Sequence, residues 1–149
     1  MNMAVSALLL LGLSALSPAS IHQDRQQSHG TIILNVVGFE NDIGDVQVGL
    51  FNSAESFTGK NKDKFAGVII KIQNKTAQYV FPNAPYGDYA IKVFHDKDGD
   101  GQLNTNFFGI PTEKYGFSNN AKALFGPPNF DKAKFIVSSD TVRVKIDLH

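Results

Sequence analysis

From Thr31 onward the apolar residues recur at every second position, a period that builds pleated strands and not helices. Ile32, Leu34 and Val36 share one strand face, and Val46, Val48 and Leu50 share another. Val68 to Ile72 and Ala77 to Phe81 flank Asn74-Lys75, which predicts a hairpin. Tyr89, Ile91 and Val93 alternate with Ala90, Lys92 and Phe94. After Lys134 to Val137 and a Ser138-Ser139-Asp140 turn, Val142, Val144, Ile146 and Leu148 face one way while Arg143, Lys145 and Asp147 face the other. That last pattern predicts an antiparallel strand with one wet face. Seven short strands without a long helical period predict an all-β domain, a single antiparallel two-sheet sandwich of immunoglobulin-like or transthyretin-like kind.

Between Gly99 and Asp131 the alternation stops. Ten Asn, Gly and Pro residues from Asn104 to Pro128 break regular structure, yet Phe107, Phe108, Tyr115, Phe117, Phe125 and Phe130 lie among them. A disordered linker lacks such aromatics. The expectation is a long aromatic-rich cover loop, Leu103 to Phe130, packed across the sandwich, with Tyr115, Phe117, Phe125 and Phe130 either forming its own small core or lining a ligand platform.

Composition narrows the function classes. The 149 residues carry 14 Lys+Arg and 14 Asp+Glu, for a formal net charge of zero, which argues against a sequence-independent nucleic-acid binder and against polybasic membrane docking. No cysteine is present, so the chain has no disulfide, zinc-thiolate or thiol nucleophile. Residues 1–19 read as a signal peptide: an uncharged apolar run centred on Leu8 to Leu11, too short to span a bilayer, then the small residues Ser17, Ala19 and Ser20. Residues 20–30 read as a flexible polar leader and 31–149 as the sandwich domain. The expected location is therefore exported: periplasmic, outer-surface or secreted, with no transmembrane segment in the mature chain.

The loop His95-Asp96-Lys97-Asp98-Gly99-Asp100-Gly101-Gln102-Leu103-Asn104 carries the D-x-D-x-D-G pattern of a calcium loop. Alternate carboxylates let a tightly turning backbone aim Asp96, Asp98 and Asp100 at one centre. The Gln102 carbonyl and Asn104, acting directly or through water, supply further oxygens. The twelfth position is Phe107 where an EF-hand needs a bidentate Glu, and the preceding segment reads as strand, so the loop is not an EF-hand. Hard oxygen ligands favour Ca2+ over zinc or copper. The remaining ligands must come from outside the loop: Glu113 is the first candidate, with Asn106 and Asp131 behind it. The alternative is a solvated acidic turn in which Asp and Gly only form turns.

Catalytic readings are weaker. His95 reads as a strand-end side chain bonded to the loop, or as a base; Glu113 with His95 in a cover-loop cleft gives a hydrolase alternative. Ser118 lacks the G-x-S-x-G elbow. The favoured reading is a calcium-binding domain with a binding or structural role at the cell envelope, its partner a glycan, a peptide or an envelope protein. A purely structural accessory domain without ligand is the third alternative.

Three motifs in order, Phe94 to Gly101, Gly109 to Asn120 and Phe125 to Phe130, resemble the bacterial exported family called domain of unknown function 2141, and the resemblance spans Thr31 to Leu148. It implies export and the fold, and implies that His95 to Asp100 belongs together with Gly109 to Asn120; it names no substrate. Pro85-Tyr86-Gly87-Asp88-Tyr89-Ala90-Ile91 more loosely resembles one strand of transthyretin-like and carboxypeptidase-regulatory-like sandwiches.

Overall fold

The computed structural model describes residues 28–60 and 63–149. The expected signal peptide and most of the expected leader lie outside these residues. Eight strands form: β1 (His29–Val37), β2 (Asp45–Phe51), β3 (Ala66–Lys71), β4 (Thr76–Pro85), β5 (Gly87–Asp96), β6 (Tyr115–Phe117), β7 (Phe135–Val137) and β8 (Thr141–Asp147). Two one-turn helices, α1 (Ala54–Phe57) and α2 (Phe130–Ala133), complete the elements with a 3-10 turn at Ser118–Asn120. One sheet has the order β4-β1-β8; the other has the order β3-β2-β5-β6, with β7 also pairing β5. The chain is thus an all-β sandwich, mostly antiparallel. No helix among the described residues is long and apolar enough to cross a membrane.

The seven strands expected from alternation are all present, and β6 is an eighth inside the cover. The inward sets meet between the sheets: Ile32, Leu34 and Val36 of β1 with Ile146 of β8, against Val46 and Leu50 of β2 and Ile91 of β5, all fully buried. Burying such a set supplies the main driving force, roughly 1.5–3 kcal/mol for each large aliphatic side chain.

Two pairings differ from expectation. Asn74 and Lys75 do form a tight turn, both at positive φ (51° and 57°), and Gln73 and Thr76 bridge across it. Beyond that bridge β3 joins β2 in one sheet while β4 joins β1 in the other, so the turn links the sheets and is no hairpin within one. Asp42 holds the turn by accepting from the N–H groups of Asn74 (3.0 Å) and Lys75 (2.7 Å). The second difference is β8, whose wet and dry faces follow the alternation but which lies parallel to β1. The 138–140 turn carries the chain from β7, paired with β5, across to the other sheet, where Thr31 N–H donates to Asp140 O (2.9 Å). Alternation fixes which face is buried, and says nothing about strand direction.

β1 begins two residues before the expected domain start, with His29 opposite Pro85 and Gly30 opposite Ala84. Gly30 makes this possible: a Cβ there would sit 2.3 Å from Ser139 O.

A second apolar cluster lies on the outer face of the five-stranded sheet. Phe51, Phe57, Ala90, Phe117, Ala121, Phe130 and Ala133 form it, with Phe57 at its centre in edge contact with Phe51, Phe117 and Phe130. Ser53 caps α1 by accepting the Ser56 N–H, which delivers Phe57 into the cluster. Ser118 pins this layer to the sheet: its fully buried hydroxyl accepts the Ile91 N–H (2.9 Å) and donates to Ala133 O (2.5 Å). It is a structural hydroxyl, as the missing elbow motif implies. Ser118→Ala leaves two buried backbone groups unpaired and is expected to cost about 1–3 kcal/mol in chemical denaturation; an unchanged midpoint would refute this role.

The cover therefore splits. Phe117 and Phe130 are buried in their own small core, but Phe107 is 97% and Phe125 94% exposed. The aromatics flanked by regular structure pack; those at the tips of turns do not.

Candidate metal centre

β5 ends at Asp96, on the sheet face opposite to the buried His95, as strand alternation requires. Asp96 is only 1% exposed. Its Oδ2 accepts from Gln47 Nε2 (2.9 Å) and from Gly101 N–H (3.0 Å), and its Oδ1 accepts from Gly99 N–H (2.9 Å). The Gln47 hydrogen bond is the largest influence holding this carboxyl below the usual carboxylate range; burial opposes it, and the Gly101 and Gly99 amides add to the lowering. Gly44 lets the start of β2 approach the same point. Its φ is +82°, and a Cβ would lie 2.4 Å from Asp96 O.

Glu113 reaches in from the segment before β6. Its Oε1 accepts the Lys97 N–H (2.8 Å) and its Oε2 the Asn104 N–H (3.0 Å), so one buried carboxylate clamps both ends of the acidic loop. The neighbouring Lys114 fixes this segment, with Lys114 O accepting from His95 N–H and Lys114 Nζ paired with Glu40 (3.1 Å).

Oxygen atoms of Asp96, Asp98 and Glu113 lie within 4.8 Å of one another. None of the three forms an ion pair among the described residues. The other residues expected at the centre sit beside it. Asp100 turns its Oδ1 to the Gln102 N–H (2.7 Å), and Asn104 Nδ2 donates to Asp98 Oδ2 (2.8 Å). Asn106 instead closes its own turn, accepting from the N–H groups of Phe108 and Ile110, and Asp131 pairs with Lys134 (3.4 Å). Gln47, which sequence reading passed over, is the nonlocal partner of Asp96; its place opposite Phe94 follows only from the β2–β5 register.

His95 packs edge-on against Phe39 and its Nε2 donates to Ile43 O (2.7 Å), leaving Nδ1 buried without a partner. His95 is thus a strand-end side chain, but its ring bonds the segment before β2 and not the acidic loop as expected. His95 and Glu113 do not bond to one another, and their carboxylate and ring are held by different groups.

The depressed Asp96 value fixes the sign of an acid effect. A carboxyl more acidic in the folded state than in the unfolded one contributes stability above the ordinary Asp range, and this is lost as pH falls through the folded value. In EDTA, the melting temperature is expected to start falling below about pH 5 and to keep falling through the depressed folded value, with a shallower drop for Asp96→Asn. Parallel profiles for the two proteins would remove Asp96 from the account.

Neither curated proteins nor solved structures match the chain. Residues 34–145 match the model of the family described as uncharacterized protein conserved in bacteria (DUF2141), a span covering both the sandwich and the acidic loop with its Glu113 clamp, and the chain belongs to that family.

Proposed function

We propose that this is an exported domain whose acidic loop binds one calcium ion, and that the bound ion serves a binding or structural role at the cell envelope. The observation that carries the reading is the convergence of Asp96, Asp98 and Glu113 without a basic side chain paired to any of them. Like charges so close oppose one another's ionisation unless a cation or several donors compensate. The N–H groups that reach them occupy part of their acceptor capacity: three on Asp96, two on Glu113 and two on Asp98, against about four lone-pair positions on each carboxylate. The rest is open to a cation. Asp100, the Gln102 carbonyl, the Asn104 amide and water are the further oxygens of the about six to eight that calcium takes.

The uncharged apolar run and small residues before Ser20 support export, where calcium is plentiful enough for a weak site. A glycan, a peptide or an envelope protein is the class of macromolecular partner proposed. Calorimetric titration of the EDTA-stripped protein with calcium should show one site per chain, absent in Asp98→Ala. No heat and no change in electrophoretic mobility up to about 10 mM calcium would defeat the proposal.

A further inference from the structure

On the outer face of the five-stranded sheet a groove of about 690 Å³ runs between two parts of the cover. Its floor is Lys92, Tyr115 and Phe117, placed side by side because Lys92 pairs with Phe117 and Phe94 with Tyr115 in the β5–β6 register. Ile110 and Pro111 form one wall, and Leu124 and Phe125 the other. These walls are apolar and open to solvent, Leu124 being 96% exposed. Lys92 is the only charged residue of the lining.

The lysine is unusual in its setting. Its ammonium donates to Phe57 O and lies over the rings of Phe57 (4.3 Å) and Phe51 (5.3 Å), yet no carboxylate pairs with it among the described residues. An ammonium has three donors, and one is used. Burial lowers its basicity. Apolar walls, a volume of the size that holds small organic molecules and a floor lysine with no carboxylate partner together define the complementary ligand.

We infer that this groove binds an amphiphilic anion: an apolar chain or ring ending in a carboxylate, the apolar part between the walls and the carboxylate on Lys92. This supplies a ligand for the binding role, and no groove-lining residue belongs to the acidic cluster.

Decanoate and decanol, below their aggregation limits, make the matched probes, titrated into the full domain in EDTA so that the outcome is separate from that of the calcium proposal. Decanoate should saturate one site per chain about tenfold more tightly than decanol, reflecting a charge-assisted hydrogen bond. Lys92→Met keeps the stem and removes the charge, and should bring the two affinities together. Phe125→Ser alters a side chain 94% exposed, leaves folding intact, and should weaken both. Absence of saturable decanoate binding, or an undiminished preference for decanoate in a folded Lys92→Met, would overturn the inference. So would capture of the protein on neutral and anionic vesicles alike without a decanoate site, which would assign the exposed tips to a lipid surface.

Discussion

Asp96→Ala should destabilise the metal-free domain by about 2–4 kcal/mol, whereas Asp98→Ala and Asp100→Ala should each stay within about 0.5 kcal/mol. The three aspartates look equivalent in the sequence, and burial separates them. Asp96 is 1% exposed and accepts from Gln47, Gly99 and Gly101; removing it strands the Gln47 amide at the sheet and unties the loop backbone. Asp98 and Asp100 are exposed, and their bonds are to neighbours that water can serve instead. For a domain of this size the Asp96 loss corresponds to a fall of roughly 7–18 °C in melting temperature. Urea denaturation in EDTA measures all three. Equal, small effects would mean that Asp96 anchors nothing, and its hydrogen bonds would then have no stabilising role.

That contrast shows what was legible in the sequence. The buried faces of β1, β2, β5 and β8 followed from alternation alone, because a strand's side-chain period is a local property. Strand partners are nonlocal, and there the reading failed: Asn74-Lys75 has the chemistry of a hairpin turn yet joins two sheets, and β8 runs parallel to β1. At the acidic loop the D-x-D-x-D-G spacing singled out Asp96, Asp98 and Asp100, since turn chemistry is also local, and Glu113 was the candidate from outside it; the structure brings Asp96, Asp98 and Glu113 together and turns Asp100 to the Gln102 N–H. Gln47 carries no such signal, because only the pairing of Asp45 with Asp96 brings it alongside. The cover's aromatics divided on the same principle. Phe117 and Phe130 are held by β6 and α2 against Phe57, whereas Phe107 and Phe125, at turns, stay exposed. Alternation placed Lys92 on the strand face opposite Ile91 and Val93 and no more; its position over two phenylalanine rings depends on α1, more than thirty residues earlier.

Calcium at about 10 mM should raise the melting temperature of the EDTA-stripped protein by about 5–12 °C. The range follows from linkage. A dissociation constant of about 10⁻⁴–10⁻³ M, usual for extracellular calcium modules, leaves the ion about 10- to 100-fold in excess and stabilises the folded state by roughly 1.4–2.7 kcal/mol. Asp98→Ala is the discriminating variant, because its own contribution without metal is small while it removes one of three converging carboxylates. It should melt near the wild type in EDTA and show little shift with calcium. The gain should extend beyond the loop. Glu113 clamps Lys97 and Asn104, and from Asn104 the chain turns out and back to Thr112, whose N–H donates to Asn104 O (2.8 Å), carrying Ile110 and Pro111 as a wall of the groove. An ion on Asp96, Asp98 and Glu113 therefore holds the root of that wall, and amide hydrogen exchange across residues 104–112 should slow with calcium in the wild type and not in Asp98→Ala. If the melting curve moves while exchange there does not, the ion stabilises the sandwich without ordering the wall. If neither moves, the three carboxylates are compensated by the backbone amides alone, and the loop is a hydrogen-bonded turn with no cation role.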